Sequence, residues 1–170
     1  MTSANDPPIA APTLYSIGHS DHAIDAFIAL LSRHGITTLV DVRSQPYSRW
    51  VPTYNRETLA HALQVAGLTY VFLGDALGGR PDRPSLYDGE QPNYERMAAT
   101  PTFQEGLTRL LALAHGGGVA MMCSEGDYRQ CHRHMLITPH LLERGARVLH
   151  IRPDGETVEA HPEPKQLSLW

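Results

Sequence analysis

The chain has 170 residues, an apolar fraction of 42% and a formal net charge of −4 at pH 7. This length fits one domain with a single core, and the charge argues against broad, charge-driven binding to DNA or acidic membranes. Apolar runs stay well below the roughly 18 residues of a membrane span, and Met1–Pro12 lacks the pattern of a secretory signal. We therefore expect a cytoplasmic protein with no membrane partner, whose Cys123 and Cys131 are free thiols.

Short apolar segments alternate with amphipathic ones along the chain, which is typical of βαβ units. The predicted strands are Leu14–Ile17, Thr38–Val42, Thr69–Leu73, Val119–Met122 and Arg147–Ile151. The fold class that follows is α/β, with a three-layer, mostly parallel five-stranded sheet and helices on both faces, as in Rossmann-like or flavodoxin-like folds. The strand orders 2-1-3-4-5 and 3-2-1-4-5 both fit this pattern.

The chain outside this domain has a different composition. We expect a disordered N-terminus over residues 1–12, a single domain over residues 13–160 and a proline-containing tail over residues 161–170. The segment Thr157–Ala160 is predicted as a further edge strand of the sheet.

Four helices are indicated between the strands. Ser20 or Asp21, then Asn55, and then Thr100 are predicted N-caps of the first three. The last helix is expected from about Arg129 to Arg144.

Three features depart from regular helices and strands. Pro139 lies inside the last predicted helix and is expected to kink it. The polar segments 43–54 and 74–93 follow strands and are predicted as long functional loops.

The carboxyl ends of parallel strands meet at one edge of a sheet, where ligands bind. Polar residues or glycines lie at or just after the end of every predicted strand, so we expect them to form one site. The candidate catalytic residues are His19, Asp41, Cys123 and Glu125. The candidate ligand-binding residues are Gly18, Ser20, Arg43, Ser48, Gly78, Gly79, Arg80, Cys131, His132, Arg133 and His150.

Three of these strand ends allow alternative interpretations. The turn at His19 either offers backbone amides to an anion, or His19 only caps or packs there. Asp41 and Arg43 either form a structural salt bridge, or Asp41 orients Arg43 toward an anionic ligand. The pair Gly78-Gly79 either lets backbone approach a ligand or forms a plain turn.

Several of these residues lie in unusual motifs that occur in a fixed order. The motifs are Ser16-Ile17-Gly18-His19-Ser20, Asp41-Val42-Arg43-Ser44, Leu77-Gly78-Gly79, Cys123-x-Glu125 with Cys131-His132-Arg133, and His150-Ile151. On these motifs the chain resembles the uncharacterised family called domain of unknown function 488, over roughly Tyr15 to Arg152. The resemblance implies an α/β fold and a shared polar site, and no established reaction.

The cysteine cluster has three interpretations. Cys123 through Arg129 fits C-x-x-G-x-x-R, the phosphate loop of cysteine-dependent phosphatases, in which the cysteine is a nucleophile. Alternatively the two cysteines, His132, His19 and Glu125 hold zinc or iron, although adjacent Cys131 and His132 rarely point at one ion. In the third, Cys131 packs as a small apolar residue. A cofactor is therefore unknown, and a metal is possible but not favoured.

The chain ends in Gln166-Leu167-Ser168-Leu169-Trp170. This peptide resembles the one by which bacterial repair and replication proteins dock on the sliding clamp. Gln166, Leu167, Leu169 and Trp170 are the predicted docking residues, held on a proline-containing tether. The alternative is a tail that folds back and buries Leu169 and Trp170 on the surface of the domain.

Three functions remain open from the sequence. The chain is predicted to be an enzyme that acts on a nucleotide or nucleic-acid-like anionic substrate, in DNA repair or replication, with Arg43, Arg49, Arg80 and Arg83 supplying local positive charge. The alternatives are a cysteine-dependent phosphatase-like hydrolase and a non-catalytic adaptor that binds a nucleotide or nucleic acid.

Overall fold

The computed structural model of the protein describes residues 11–164. Its strands are β1 Thr13–Gly18, β2 Thr38–Asp41, β3 Thr69–Phe72, β4 Tyr87–Asp88, β5 Gln91–Pro92, β6 Val119–Cys123, β7 Arg147–Ile151 and β8 Thr157–Glu159. Its α-helices are α1 Ile24–Arg33, α2 Arg56–Val65, α3 Gly74–Leu77, α4 Tyr94–Ala98, α5 Pro101–His115 and α6 Thr138–Glu143.

The main sheet confirms the predicted α/β class and has six strands in the order β3-β2-β6-β1-β7-β8. The first five of these are parallel, and β8 pairs antiparallel with β7, so the expected edge strand is present. Counted over the parallel strands alone, the order is 3-2-4-1-5, and both expected orders are wrong. Local apolar patterns predict strands but not their neighbours, and here β6 inserts between β1 and β2.

Helices cover both faces of the sheet, as predicted. On one face α1 and α2 pack Phe27, Leu31, Leu59 and Leu63 against the sheet. On the other face the buried side chains of α3, α4, α5 and α6 form the larger of the two apolar clusters. Because successive strand residues point to opposite faces, this division also decides on which face each polar residue of the sheet lies.

The predicted N-cap residues are correct for two of the three helices, α2 and α5, and of these two only α5 has a side-chain cap. The Thr100 hydroxyl accepts a hydrogen bond from the Phe103 amide at 3.2 Å and caps α5. The N-cap of α1 is Ala23, not Ser20 or Asp21, and it makes no side-chain cap. Asn55 is the N-cap residue of α2, but its side-chain oxygen accepts from the Ser48 amide at 2.7 Å instead.

The expected continuous helix from Arg129 to Arg144 is wrong. A 3-10 turn over Tyr128–Gln130 is followed by a π-helix over Arg133–Ile137, and α6 starts at Thr138. Pro139 lies in the first turn of α6, and because Ile137 and Thr138 have helical backbone, the π-helix runs directly into this turn. The structure therefore has a π-helix, with its wider turn, directly before Pro139, where the sequence predicted a kink.

The segment 74–93 is more ordered than the predicted long loop. It contains α3, a 3-10 turn over Pro84–Leu86 and the small hairpin of β4 and β5. These elements are too short to show a period in the sequence. Within residues 11–164, no helix is long and apolar enough to cross a membrane.

Candidate functional site

The carboxyl ends of β1 and β6 stay paired beyond the strands. The amides of His19 and Ser20 donate to the carbonyls of Cys123 and Ser124, each at 2.9 Å. These amides are therefore occupied, and the interpretation of this turn as an anion site is wrong. Gly18 is required here because a Cβ at this position would overlap the carbonyl oxygen of Glu125.

Ser20 holds the turn after β1 in an unusual conformation. Its φ of 48° lies in the left-handed region, and it is the one non-glycine residue with positive φ among residues 11–164. Residues other than glycine adopt such a backbone where the surrounding structure enforces it, as at many functional sites. The turn beside His19 is thus held by tertiary contacts.

Asp41 and Arg43 form a buried bidentate pair. Arg43 Nε and Nη2 donate to the two carboxylate oxygens of Asp41 at 2.9 and 2.8 Å, and the Tyr70 hydroxyl donates to Asp41 as well. Arg43 Nη2 also donates to the carbonyl of Tyr54 at 2.8 Å. Burial, and then the bond to Asp41, raise the pKa of Tyr70 above its usual value. The geometry favours Asp41 as the residue that orients Arg43.

His19 lies against an aromatic ring on the same face. Its imidazole stacks on Tyr54 with ring centroids 4.2 Å apart and an interplanar angle of 8°. Burial lowers the pKa of His19 below its usual value, so the imidazole is neutral at pH 7. Burial likewise raises the pKa of Tyr54 to about 12. His19 is therefore packed and also reaches the edge of the sheet, with 6% of its surface exposed.

Arg133 is the most unusual side chain of the site, because its guanidinium is completely buried. Its Nη1 donates to Cys123 Sγ and to the Glu125 carbonyl, each at 2.8 Å, and its Nε donates to Ser16 Oγ at 3.2 Å. Burial lowers the pKa of Arg133 to about 10, which still leaves it charged at pH 7. Arg133 is predicted to bind a ligand, but its guanidinium instead donates a hydrogen bond to Cys123 Sγ inside the protein.

The two cysteines lie together, which contradicts the expectation of free thiols. Their Sγ atoms are in bonding contact, and their Cα atoms are 7.7 Å apart. Disulfides usually span about 4.4–6.8 Å between Cα atoms. The Glu125 carboxylate lies on the solvent side of this pair, with Oε2 3.1 Å from Cys123 Sγ.

His132 adjoins the cysteine pair. Its Nε2 lies 2.9 Å from the Val42 carbonyl, and its Nδ1 lies 3.8 Å from Cys131 Sγ. Burial lowers the pKa of His132 below its usual value. Side chains of adjacent residues rarely point at one ion. Here, however, Cys131 Sγ and His132 Nδ1 do point to the same place.

The Gly78-Gly79 turn packs against protein rather than against open space. A Cβ on Gly78 would overlap Ser44 Oγ, and one on Gly79 would lie 2.7 Å from the His132 ring. The Arg80 amide donates to Ser44 Oγ at 2.8 Å, and the Arg80 side chain is exposed. These glycines therefore allow the loops after β2 and β3 to approach His132.

Ser48 organises the loop after β2. Its hydroxyl accepts hydrogen bonds from the amides of Trp50 and Val51 at 3.1 and 3.2 Å. Ser48 is predicted to bind a ligand, but its hydroxyl instead bonds the backbone of its own turn.

His150 lies inside the sheet rather than at its edge. Its Nδ1 is hydrogen-bonded to Ser16 Oγ, its Nε2 lies 3.2 Å from His134 Nδ1, and its ring stacks on Tyr128 at 4.2 Å. One consistent arrangement has Arg133 donate to Ser16, Ser16 to His150, and His150 to His134. The ring is completely buried.

The segment from Cys123 to Arg129 does not have the geometry of a phosphatase loop. Arg129 donates to both carboxylate oxygens of Asp127 at 3.0 Å, and its side chain is 72% exposed. The loop continues into a three-residue 3-10 turn, so no α-helix N-terminus points at Cys123. This alternative loses its structural support.

The candidate residues thus form two sets at the same edge of the sheet. Asp41, Arg43 and His19 lie with Tyr54 on the face of α1 and α2, whereas the set with Cys123 lies on the face of α6. Sequence reasoning missed Tyr54, Tyr70 and His134, and treated Ser16 only as part of a motif. Alternation along β1 was the available signal for Ser16, because it places Ser16 on the same face of the sheet as the buried Leu14 and Gly18.

The buried His150 makes a prediction about stability. Burial, with His134 and Arg133 nearby, lowers the pKa of His150 from 6.5 to about 3. Between these values the unfolded chain binds a proton that the folded chain does not, so the free energy of unfolding falls as the pH falls from 6.5 toward 3. The slope from one such group is up to about 1.4 kcal/mol per pH unit.

We expect His150→Gln to flatten this slope relative to the wild type. The measurement is urea unfolding between pH 4 and 7, with exposed His61→Gln as the control for removing a histidine. A wild-type slope that survives in His150→Gln contradicts the assignment.

Comparison with known proteins gives one match. The family model described as "Domain of unknown function DUF488" matches residues 23–138, which excludes the motif around His19 and the one at His150. No curated protein and no solved structure matches the chain. Since the family model covers most of the chain, and the motifs at Asp41, Gly78, Cys123 and Cys131 lie within the match, the protein belongs to the family of the domain of unknown function DUF488.

Proposed function

We propose that the protein is an enzyme acting on a nucleotide or nucleic-acid-like anionic substrate at the carboxyl edge of its sheet. The observation that carries the proposal is the exposed aromatic and cationic surface of the loop over residues 44–54, which adjoins the candidate catalytic groups. Trp50 is 81% exposed, Tyr47 is 54% exposed, and the Arg49 guanidinium lies 4.8 Å from the centre of the Trp50 ring.

Both ends of this loop are anchored at the candidate site. Ser44 Oγ accepts from the Arg80 amide at the start of the loop, and Tyr54 stacks on His19 at its end. The Ser48 hydroxyl fixes the turn before Trp50. An exposed indole on an anchored loop suits base stacking, because it loses little conformational freedom when a flat ligand binds.

The exposed charges nearby suit a phosphate. Arg49 and Arg80 are exposed, and neither forms a salt bridge with a described residue. Arginine binds phosphate oxygens through paired N–H groups. With a net charge of −4, such binding is local rather than spread over the whole surface.

Glu125 supports an enzyme rather than an adaptor. Its carboxylate lies 3.1 Å from Cys123 Sγ and is exposed to solvent at the edge of the sheet. A carboxylate at such a position can accept or donate a proton at a bound substrate.

The stacking role is tested with Trp50→Ala. Loss of one base–aromatic contact costs about 1–3 kcal/mol, so we expect affinity for a short single-stranded DNA oligonucleotide to fall about 5- to 150-fold. Val65→Ala is the matched control, because Val65 is 76% exposed on α2. Fluorescence anisotropy of a labelled oligonucleotide gives both affinities. Equal affinities of the two variants contradict the proposal.

Glu125→Gln separates the enzyme from the adaptor. If the variant binds the oligonucleotide as the wild type does but fails to restore the phenotype of a deletion strain, the chain is an enzyme. If it binds and restores the phenotype fully, the chain is an adaptor.

A partner is proposed from the C-terminal peptide, which lies outside the described residues. The described chain ends in exposed residues 161–164 after β8, which suits a tether. We expect a truncation before Gln166 to lower affinity for a bacterial sliding clamp, as measured by surface plasmon resonance with the full-length chain alongside. Full-length Ser168→Ala is the control, because position 168 lies between the docking residues. Equal affinities of the truncated and full-length chains contradict clamp docking.

A further inference from the structure

Three ligand atoms of the metal-binding type converge at the end of β6. Cys123 Sγ, Cys131 Sγ and one ring nitrogen of His132 all lie within 4.8 Å of one another. We propose that, in the chain whose Cys123 and Cys131 are reduced to thiolates, these three atoms bind a zinc ion, with a fourth coordination position left for water beside Glu125. This inference goes beyond the proposed function, because binding of zinc by these three atoms does not depend on which substrate the protein acts on.

The hydrogen bond of His132 leaves the correct nitrogen for a metal. The Val42 carbonyl can only accept, so His132 Nε2, at 2.9 Å, carries the ring proton. Nδ1 then carries the lone pair, and it lies 3.8 Å from Cys131 Sγ. Metal-binding histidines almost always donate their other N–H in this way, often to a backbone carbonyl.

The separation of Cys131 and His132 fits one ion. Tetrahedral zinc with sulfur at about 2.3 Å and nitrogen at about 2.0–2.1 Å places these two ligands about 3.6 Å apart. The distance from Cys131 Sγ to His132 Nδ1 is 3.8 Å. Gly79, packed against the His132 ring, holds the imidazole in this position.

The backbone spacing of the two cysteines favours a bridge longer than a disulfide. Their Cα atoms, 7.7 Å apart, lie beyond the usual disulfide range of about 4.4–6.8 Å. A metal between two thiolates separates the sulfur atoms further than a direct bond does, and so suits this spacing. Both cysteines are 1% exposed, which protects thiolate ligands from solvent.

The charges around Cys123 support a thiolate ligand. The buried Arg133 guanidinium donates to Cys123 Sγ at 2.8 Å, and a charged donor is best satisfied by an anionic acceptor. The Glu125 carboxylate lies 3.1 Å from the same sulfur. Two anions this close repel each other unless positive charge compensates, and a divalent ion with Arg133 supplies that charge.

The ligand set favours zinc and a reactive position. Two thiolates and an imidazole suit zinc, and three protein ligands with one water are typical of catalytic zinc sites rather than structural ones. The bound water would lose a proton to the Glu125 carboxylate, and the hydroxide would remain on the ion.

The test is metal binding by the full-length chain purified under reducing conditions. We expect mass spectrometry of the metal content to give about one zinc per chain. After removal of zinc with a chelator and reduction, Co²⁺ should bind with the same stoichiometry and produce thiolate-to-cobalt charge-transfer absorption. Cys131→Ser and His132→Gln should lose or alter this absorption, whereas His61→Gln, at an exposed histidine, should keep it.

The wild-type titration keeps the proposal falsifiable if a cysteine variant does not fold. A reduced wild-type chain that binds neither Zn²⁺ nor Co²⁺ overturns the proposal. So does charge-transfer absorption that is unchanged in folded Cys131→Ser, or an intact mass showing that the cysteines remain joined to each other after reduction.

Discussion

The buried guanidinium of Arg133 is the constraint on which the rest of the site depends. A buried cation costs several kcal/mol unless its N–H groups are satisfied, and here the acceptors come from three segments. Ser16 lies in β1, Cys123 ends β6, and the Glu125 carbonyl follows β6. The need for these acceptors explains why a serine, Ser16, is completely buried in β1. The π-helix that carries Arg133 is a rare element that often occurs at functional sites.

The edge of the sheet carries two chemically different sets of residues, separated by the sheet itself. Asp41 and Arg43 neutralise each other and fix the start of the aromatic loop, while Tyr54 and His19 fix its end. On the other face the cysteines, His132 and Glu125 lie close together. We infer that the aromatic loop fixed by the first set of residues binds a flat, anionic ligand. The residues on the other face would then act on that ligand. Glu125 connects the two, because its backbone contacts Gly18 directly before His19.

Short apolar runs predicted the strands of the main sheet to within one residue at each end but missed β4 and β5, and the rule that parallel strands end at one edge predicted which loops meet there. Three things were not predictable from local pattern. The order of the strands depends on long-range packing. The occupation of the His19 and Ser20 amides depends on β6, which is about a hundred residues away in the chain. The complete burial of Arg133 and His150 depends on partners that only the folded sheet brings together.

The most direct test of this account is the stability of Arg133→Met in reducing buffer. Methionine fills much of the same volume without charge, so the variant leaves Ser16 Oγ, Cys123 Sγ and the Glu125 carbonyl without their donor. The account predicts a loss of at least about 1–3 kcal/mol in the free energy of unfolding by urea, the cost of leaving a buried acceptor unpaired, against a loss within about 0.5 kcal/mol for Arg109→Met, at an exposed arginine of α5. Equal stability of the two variants would contradict the central role of the buried guanidinium.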